Sequence, residues 1–160
     1  MIALRHDSVM TRILFIAHAP SPNTQALRDQ AQAAILHETE VELEVRSPFD
    51  CTAEDALQAD GIIIGTTENI GAMAGATKDF FDRSYNEMLE ISAGKPAAVY
   101  IRAGLDGTGT KRGIESIMTG LRWRLVAPPL ILKGEWQERF PDEAAELALT
   151  LAAGVEINLF

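Results

Sequence analysis

Short apolar runs alternate with helical segments from Ile13 to the end of the chain, and this rhythm narrows the fold more than any other feature. Gly61-Ile62-Ile63-Ile64-Gly65 is apolar throughout, as a strand buried on both faces must be. Ile13–Ala17 and Ala97–Ile101 read the same way. Val41–Val45 alternates apolar and acidic residues, which predicts an edge strand with one wet face. A fifth strand is expected around Leu130–Leu132, its start limited by Pro128-Pro129. Helices are expected at about Thr24–Leu36, Gly75–Leu89, Gly113–Arg122 and Pro141–Ala153. In the first, Ala26, Leu27, Ala31, Ala34 and Ile35 recur at helical spacing. Strands and helices in this order predict an α/β three-layer sandwich with a five-stranded parallel sheet. Right-handed crossovers leave 2-1-3-4-5 as the expected strand order.

A chain of 160 residues fits one domain, expected over residues 12–160 behind a loose extension at residues 1–11. The single cysteine, Cys51, allows no intrachain disulfide. The amino end is charged where a signal peptide needs an apolar core, and no apolar stretch is long enough to span a bilayer. A cytoplasmic protein is therefore expected. The net charge of −9 argues against nucleic acid and anionic membrane as partners. It suits a basic redox partner and equally an ordinary acidic surface.

In sheets of this kind ligands sit beyond the carboxyl ends of the strands. Three loops reach that edge: His18–Thr24, Thr66–Met73 and Arg102–Thr110, all rich in small, hydroxyl, amide or glycine residues. The first ends where a helix begins. There Ser21, Asn23 and Thr24, with unpaired helical amides and the helix dipole, compose an anion site that needs no lysine. The same residue types are ordinary helix caps, and spacing alone does not separate the two readings. Taken alone, the third loop reads sooner as an ordinary glycine turn before a helix, with Asp106 as its turn residue, and it is the coincidence of three such loops after strands one, three and four that favours a site.

Ala19-Pro20-Ser21-Pro22-Asn23-Thr24 resembles the phosphate loop T-x-T-G-N-T of flavodoxins. Gly65-Thr66-Thr67-Glu68-Asn69-Ile70-Gly71-Ala72-Met73-Ala74-Gly75 resembles the G-T-P-x-x-x-G-x-M-x-G flavin loop of the NAD(P)H-dependent FMN and quinone reductases. Lys78–Arg83 is similar to the K-x-F-x-D-R helix of that branch. From Arg12 onward the chain thus resembles the flavodoxin-like flavoproteins. The resemblance implies that flavin mononucleotide (FMN) is the cofactor. Ser21, Asn23, Thr24 and the Gln25 amide would hold its phosphate, with His18 nearby. Thr66, Thr67, Glu68, Asn69, Ile70, Gly71, Ala72 and Met73 would line its ring. Ala103, Gly104, Asp106, Gly107 and Gly109 would close the other side.

Two departures from the family pattern carry physical consequences. Pro22 replaces the phosphate-loop glycine, so that turn cannot take positive φ. Ile70 and Ala72 stand where related loops often place an aromatic, which weakens stacking on that face. Trp123, Tyr85 and Tyr100 are candidates for the missing ring, each with packing as the plainer role. Lys78 and Asp82, four residues apart on a helix, read as an ion pair across one turn. Neither a metal cluster nor a catalytic side chain stands out.

Rival users of such a sheet are excluded by residue type. Receiver domains need paired acids after strand one and an aspartate after strand three, where this chain has Ala17-His18 and Gly65-Thr66. Phosphatases of this wind need a cysteine in the first loop, whereas Cys51 follows strand two. No G-x-x-x-x-G-K-[ST] or G-x-S-x-G occurs. The resemblance implies an NAD(P)H-dependent oxidoreductase passing electrons through FMN to a quinone, flavin or similar small acceptor, in a possible homodimer. The alternatives are a flavodoxin-type electron carrier serving a redox protein, and a scaffold that has lost FMN.

Overall fold

A computed structural model describes residues 10–160. The expected loose extension at 1–11 lies mostly outside the described residues. Within them, the Thr11 carbonyl accepts the Glu42 N–H at 2.8 Å, tying that residue to the sheet. The elements in chain order are β1 (Arg12–Ala17), α1 (Pro22–Glu38), β2 (Glu42–Arg46), a single 3-10 turn (Pro48–Asp50), α2 (Ala53–Gln58), β3 (Gly61–Asn69), β4 (Ala72–Met73), α3 (Gly75–Met88), β5 (Pro96–Ala103), α4 (Thr108–Leu121), β6 (Arg124–Leu125), β7 (Leu130–Lys133) and α5 (Phe140–Glu156).

The sheet runs β2-β1-β3-β5-β6, with β7 also on β5 and β4 on β3. The expected order 2-1-3-4-5 is therefore the core order, and the sheet has seven strands rather than five. The two additions are a split fifth position and a short hairpin strand. The fifth position is filled in two pieces, β6 against Pro96-Ala97 and β7 against Tyr100–Ala103. Pro128 and Pro129 fall between the pieces, where a ladder N–H is missing. The short β4 turns back on β3 as a hairpin.

β3 and β5 run further than their apolar cores suggest. Thr66 pairs with Ile101 and Thr67 with Arg102, so the ladder continues through polar residues. The helices at each end are likewise longer than expected, α1 by the capping box at Ser21 and α5 to Glu156. α2 was not foreseen; its own capping box joins Thr52 and Asp55.

The two faces of the sheet carry separate cores. One packs Ile62, Ile64, Val99 and Ile101 against Phe80, Phe81, Ile114 and Met118 of α3 and α4. The other packs Phe15, Ile63 and Tyr100 against Leu27, Ile35 and Leu151 of α1 and α5. Phe15 and Ile62–Ile64 are at most 1% exposed, and each such side chain contributes about 1.5–3 kcal/mol on burial. Gly65 lies opposite Tyr100 in the ladder, and a β-carbon there would collide with the tyrosine ring. Only glycine leaves room there for that ring.

The rings weighed for the ligand edge pack elsewhere. Trp123 donates its Nε1–H to the Ser92 hydroxyl at 2.7 Å inside the core. The Tyr85 hydroxyl sits against Gly120, and Tyr100 is buried on the α1/α5 face. In the tail, Phe160 packs on Gly154, while Ile157 and Leu159 stay exposed.

Candidate functional site

The carboxyl edge gathers the β1–α1 loop, the β3–β4 hairpin and the β5–α4 loop. The first is joined to β3 by the His18 N–H, which donates to the Gly65 carbonyl at 2.9 Å. Partial burial lowers the His18 pKa from its ordinary 6.5, favouring the uncharged imidazole.

The start of α1 is a complete capping box. The Thr24 N–H donates to Ser21 Oγ at 3.2 Å, and the Ser21 N–H donates to Thr24 Oγ1 at 2.9 Å. The Gln25 N–H donates to the Ser21 carbonyl at 2.8 Å and its side chain to the Ala19 carbonyl at 3.4 Å. The Gln25 amide expected to bind phosphate is therefore already used within the helix. Pro20 and Pro22 have no N–H to give. The Ala19 and Asn23 backbone N–H groups and the Asn23 carboxamide remain without a partner among the described residues.

The expected second loop is a hairpin. Ile70 at φ 51° and Gly71 at φ 77° form its tip, with both central residues at positive φ as a tight two-residue hairpin requires. Ile70 is fully exposed in this left-handed conformation, which a β-branched side chain rarely adopts. Thr66 does not face solvent: its hydroxyl meets that of Thr77 at 2.8 Å in the core. The Thr67 hydroxyl donates to Asn69 Oδ1 at 2.8 Å. Of the eight residues expected to line a ring, Glu68, Asn69, Ile70, Gly71, Ala72 and Met73 reach the surface.

In the third loop Ala103 and Gly107 are buried, whereas Gly104, Leu105, Asp106 and Gly109 are exposed. Asp106 accepts the Thr108 N–H at 3.1 Å and its hydroxyl at 3.0 Å, and these bonds lower the Asp106 pKa. Gly109 touches the Gly71 carbonyl, so the hairpin and the third loop meet rather than forming opposite walls. Arg102 anchors this loop from behind. Its guanidinium donates to the carbonyls of Ala103, Leu132 and Gly134 and packs 5.8 Å from the Trp136 ring and 5.2 Å from that of Phe140. No sequence pattern marks that role.

The remaining chemical candidates are structural. Lys78 pairs with Asp82 at 2.6 Å on the surface of α3. Arg83 donates to the Cys51 and Pro48 carbonyls, both at 2.9 Å. Burial pushes the Cys51 thiol up to about 12, which leaves it unreactive. Among the described residues no helix is long and apolar enough to cross a membrane.

The donor set and the surface shape test whether FMN suits this edge. Thr110, in the first turn of α4, holds a buried hydroxyl with no partner among the described residues, as a site completed by a polar ligand would. The edge offers exposed glycine backbone at Gly71, Gly104 and Gly109 and exposed aliphatic side chains at Ile70 and Leu105. These residues fit a flat ring with a polar rim. The phosphate end fits with a reduced set of donors at the α1 terminus.

No protein-family model matches the chain. A flavodoxin of Aquifex aeolicus (strain VF5) is 31% identical over 114 residues, which span 70% of this chain and 60% of that protein. An archaeal flavodoxin structure superposes with a TM-score of 0.77 at 19% identity, covering 91% of this chain and 99% of that one. Oxidised flavodoxin 1 of Bacillus cereus gives 0.73 at 20% identity, covering 94% and 99%. An apo NADH:FMN oxidoreductase gives 0.70 at 18% identity, covering 92% and 89%. With the strand order, the sequence match and the superpositions pointing the same way, the chain has the flavodoxin-like fold and is similar in sequence to a flavodoxin over 60% of that relative's length.

Proposed function

We propose that the chain binds FMN at its carboxyl edge and works as an NAD(P)H-dependent oxidoreductase toward a small acceptor such as a quinone or a flavin. FMN would supply hydride acceptance and electron release, the redox chemistry that no side chain of this chain provides. Asn23 and the Ala19 N–H would receive the phosphate at the positive end of α1. The backbone around Glu68–Ala72 and Gly104–Asp106 would receive the ring edge, and Ile70 and Leu105 would keep water from it.

The observation that carries the oxidoreductase reading is the aliphatic rim. The rings of Trp123, Tyr85 and Tyr100 pack elsewhere, and Ile70 and Leu105 are the exposed apolar side chains on the flanking loops. A ring face not covered by an aromatic is open to a nicotinamide or a flat acceptor. The electron-carrier reading is favoured by the flavodoxin relative.

The test is an FMN fluorescence titration followed by anaerobic NADH or NADPH. Quenching and then bleaching with turnover is the expected result. Quenching without bleaching assigns the chain to the carrier reading. Unchanged fluorescence removes FMN from the assignment.

A further inference from the structure

A second concave surface lies at the same carboxyl end, on the β2 side of β1, and borders the β1–α1 loop. It is an open groove of about 500 Å3 between the carboxyl ends of β1 and β2, within the range of small-molecule sites. His18, Arg28, Gln32, Arg46, Ser47 and Phe49 contribute to its walls.

Phe49 is 65% exposed, an unfavourable placement for a ring. It has no aromatic partner among the described residues. Its exposure is imposed by rigid backbone. Phe49 sits in the 3-10 turn capped by Ser47, and Arg83 clamps that turn through the carbonyls of Pro48 and Cys51. The chain thus anchors the backbone that carries an exposed apolar ring at the lip of a groove.

Two guanidiniums line the same groove. Arg28 uses its Nε on Asp29 at 2.8 Å. Arg46 is braced by Glu44, by Asp55 at 3.4 Å and by the Asp50 carbonyl at 3.4 Å, through Nε and Nη1. Both Nη groups of Arg28 and the Nη2 of Arg46 have no acceptor among the described residues. The carboxylates bias these side chains toward the groove, so part of the arginine ordering precedes ligand binding. They also reduce the net positive charge, which disfavours a bare anion and leaves the ring contact to supply part of the affinity. An exposed ring beside guanidinium donors is the chemistry that recognises a base carrying a phosphate.

We propose that this groove binds a nucleoside phosphate, with the base on the Phe49 ring and the phosphate at Arg28 and Arg46. The groove shares His18, Ala19 and Pro20 with the phosphate end of the FMN reading, but the contacts proposed here, Phe49, Arg28 and Arg46, are not among the residues of that reading. An adenylate could arrive as a free nucleotide or as half of a nicotinamide dinucleotide, and the shared chemistry is the same.

The test titrates the full chain with 5′-AMP and with adenosine 2′,5′-bisphosphate, followed by calorimetry and by amide shifts in NMR. Saturable binding is expected, with shifts at residues 46–49 and 28–32. Phe49→Ser and Arg28→Gln are each expected to weaken it by about tenfold, as loss of one stacking or charged contact would. Both positions lie outside the FMN edge, so FMN titration of the two variants should match the parent chain. Displacement of bound 5′-AMP by NADH or NADPH identifies the dinucleotide as the source. Persistence of bound 5′-AMP identifies a free nucleotide. Absence of saturable binding, or equal binding by the folded variants, overturns the proposal.

Discussion

Gly71 and Gly109 meet backbone to backbone: the carbonyl oxygen of the first occupies the place a β-carbon on the second would need. The obstacle is main chain, which cannot swing aside as a side-chain end can. Gly109→Ala should therefore push the β3–β4 hairpin off the first turn of α4. The expected cost is about 1–3 kcal/mol, typical of forced overpacking, measured by urea unfolding. Because both loops border the ligand edge, FMN affinity should fall in parallel. A variant as stable as the parent would refute the contact.

Ile70 makes the opposite prediction. Its left-handed backbone and fully exposed aliphatic side chain both work against folding. Ile70→Asn should relieve the strain, since asparagine adopts positive φ readily, and should raise stability by about 1 kcal/mol. Thermal melts check it. If Ile70 contributes to the rim of the flavin site, the same substitution should lower turnover with an apolar acceptor while the melting temperature rises. A fall in melting temperature would mean that the isoleucine side chain holds the hairpin after all.

His18 sets a pH dependence whose direction follows from its burial. Its folded pKa lies below the ordinary 6.5, so over the interval between the two values the unfolded chain binds more protons. Stability should then rise with pH through that interval and lose that part as pH falls below 6.5. His18→Gln should flatten this part of the profile, read as unfolding midpoints at pH values from 5 to 8. An identical profile in the variant would exclude His18 as the cause.

The sheet is legible because its centre announces itself. Ile62–Ile64 and Ala97–Ile101 are apolar without interruption, and only a strand covered on both faces tolerates that. The ends of those strands are hidden. Thr66 and Thr67 continue β3 because β5 supplies partners, a pairing that no local pattern encodes. The hairpin is hidden too, since its first turn residue is Ile70 where asparagine or glycine would signal the turn. Ser21 and Thr24 were readable either as cap or as phosphate ligands, and the structure shows their oxygens and amides engaged with each other. The groove at Phe49 draws on α1, β2 and the 3-10 turn at once, so it exists only after the chain has folded.

Pro22 carries the sharpest test of the phosphate end. It occupies the first position of α1, where its fixed φ favours the helix and its missing N–H costs the helix nothing. For an anion the missing N–H does matter, because the loop keeps the backbone donors of Ala19 and Asn23 while the Ser21, Thr24 and Gln25 amides are already bonded. Pro22→Gly restores one donor at the positive end of the helix and frees the turn to wrap a ligand. It also enlarges the unfolded ensemble. The two effects have opposite signs and separate readouts. Stability should fall by about 0.5–1 kcal/mol, as loss of a well-placed proline does. FMN affinity should rise by about tenfold, equivalent to one added hydrogen bond to a charged group. If stability falls and affinity does not move, the phosphate is not held at this loop, and the anion site at the start of α1 has to be abandoned.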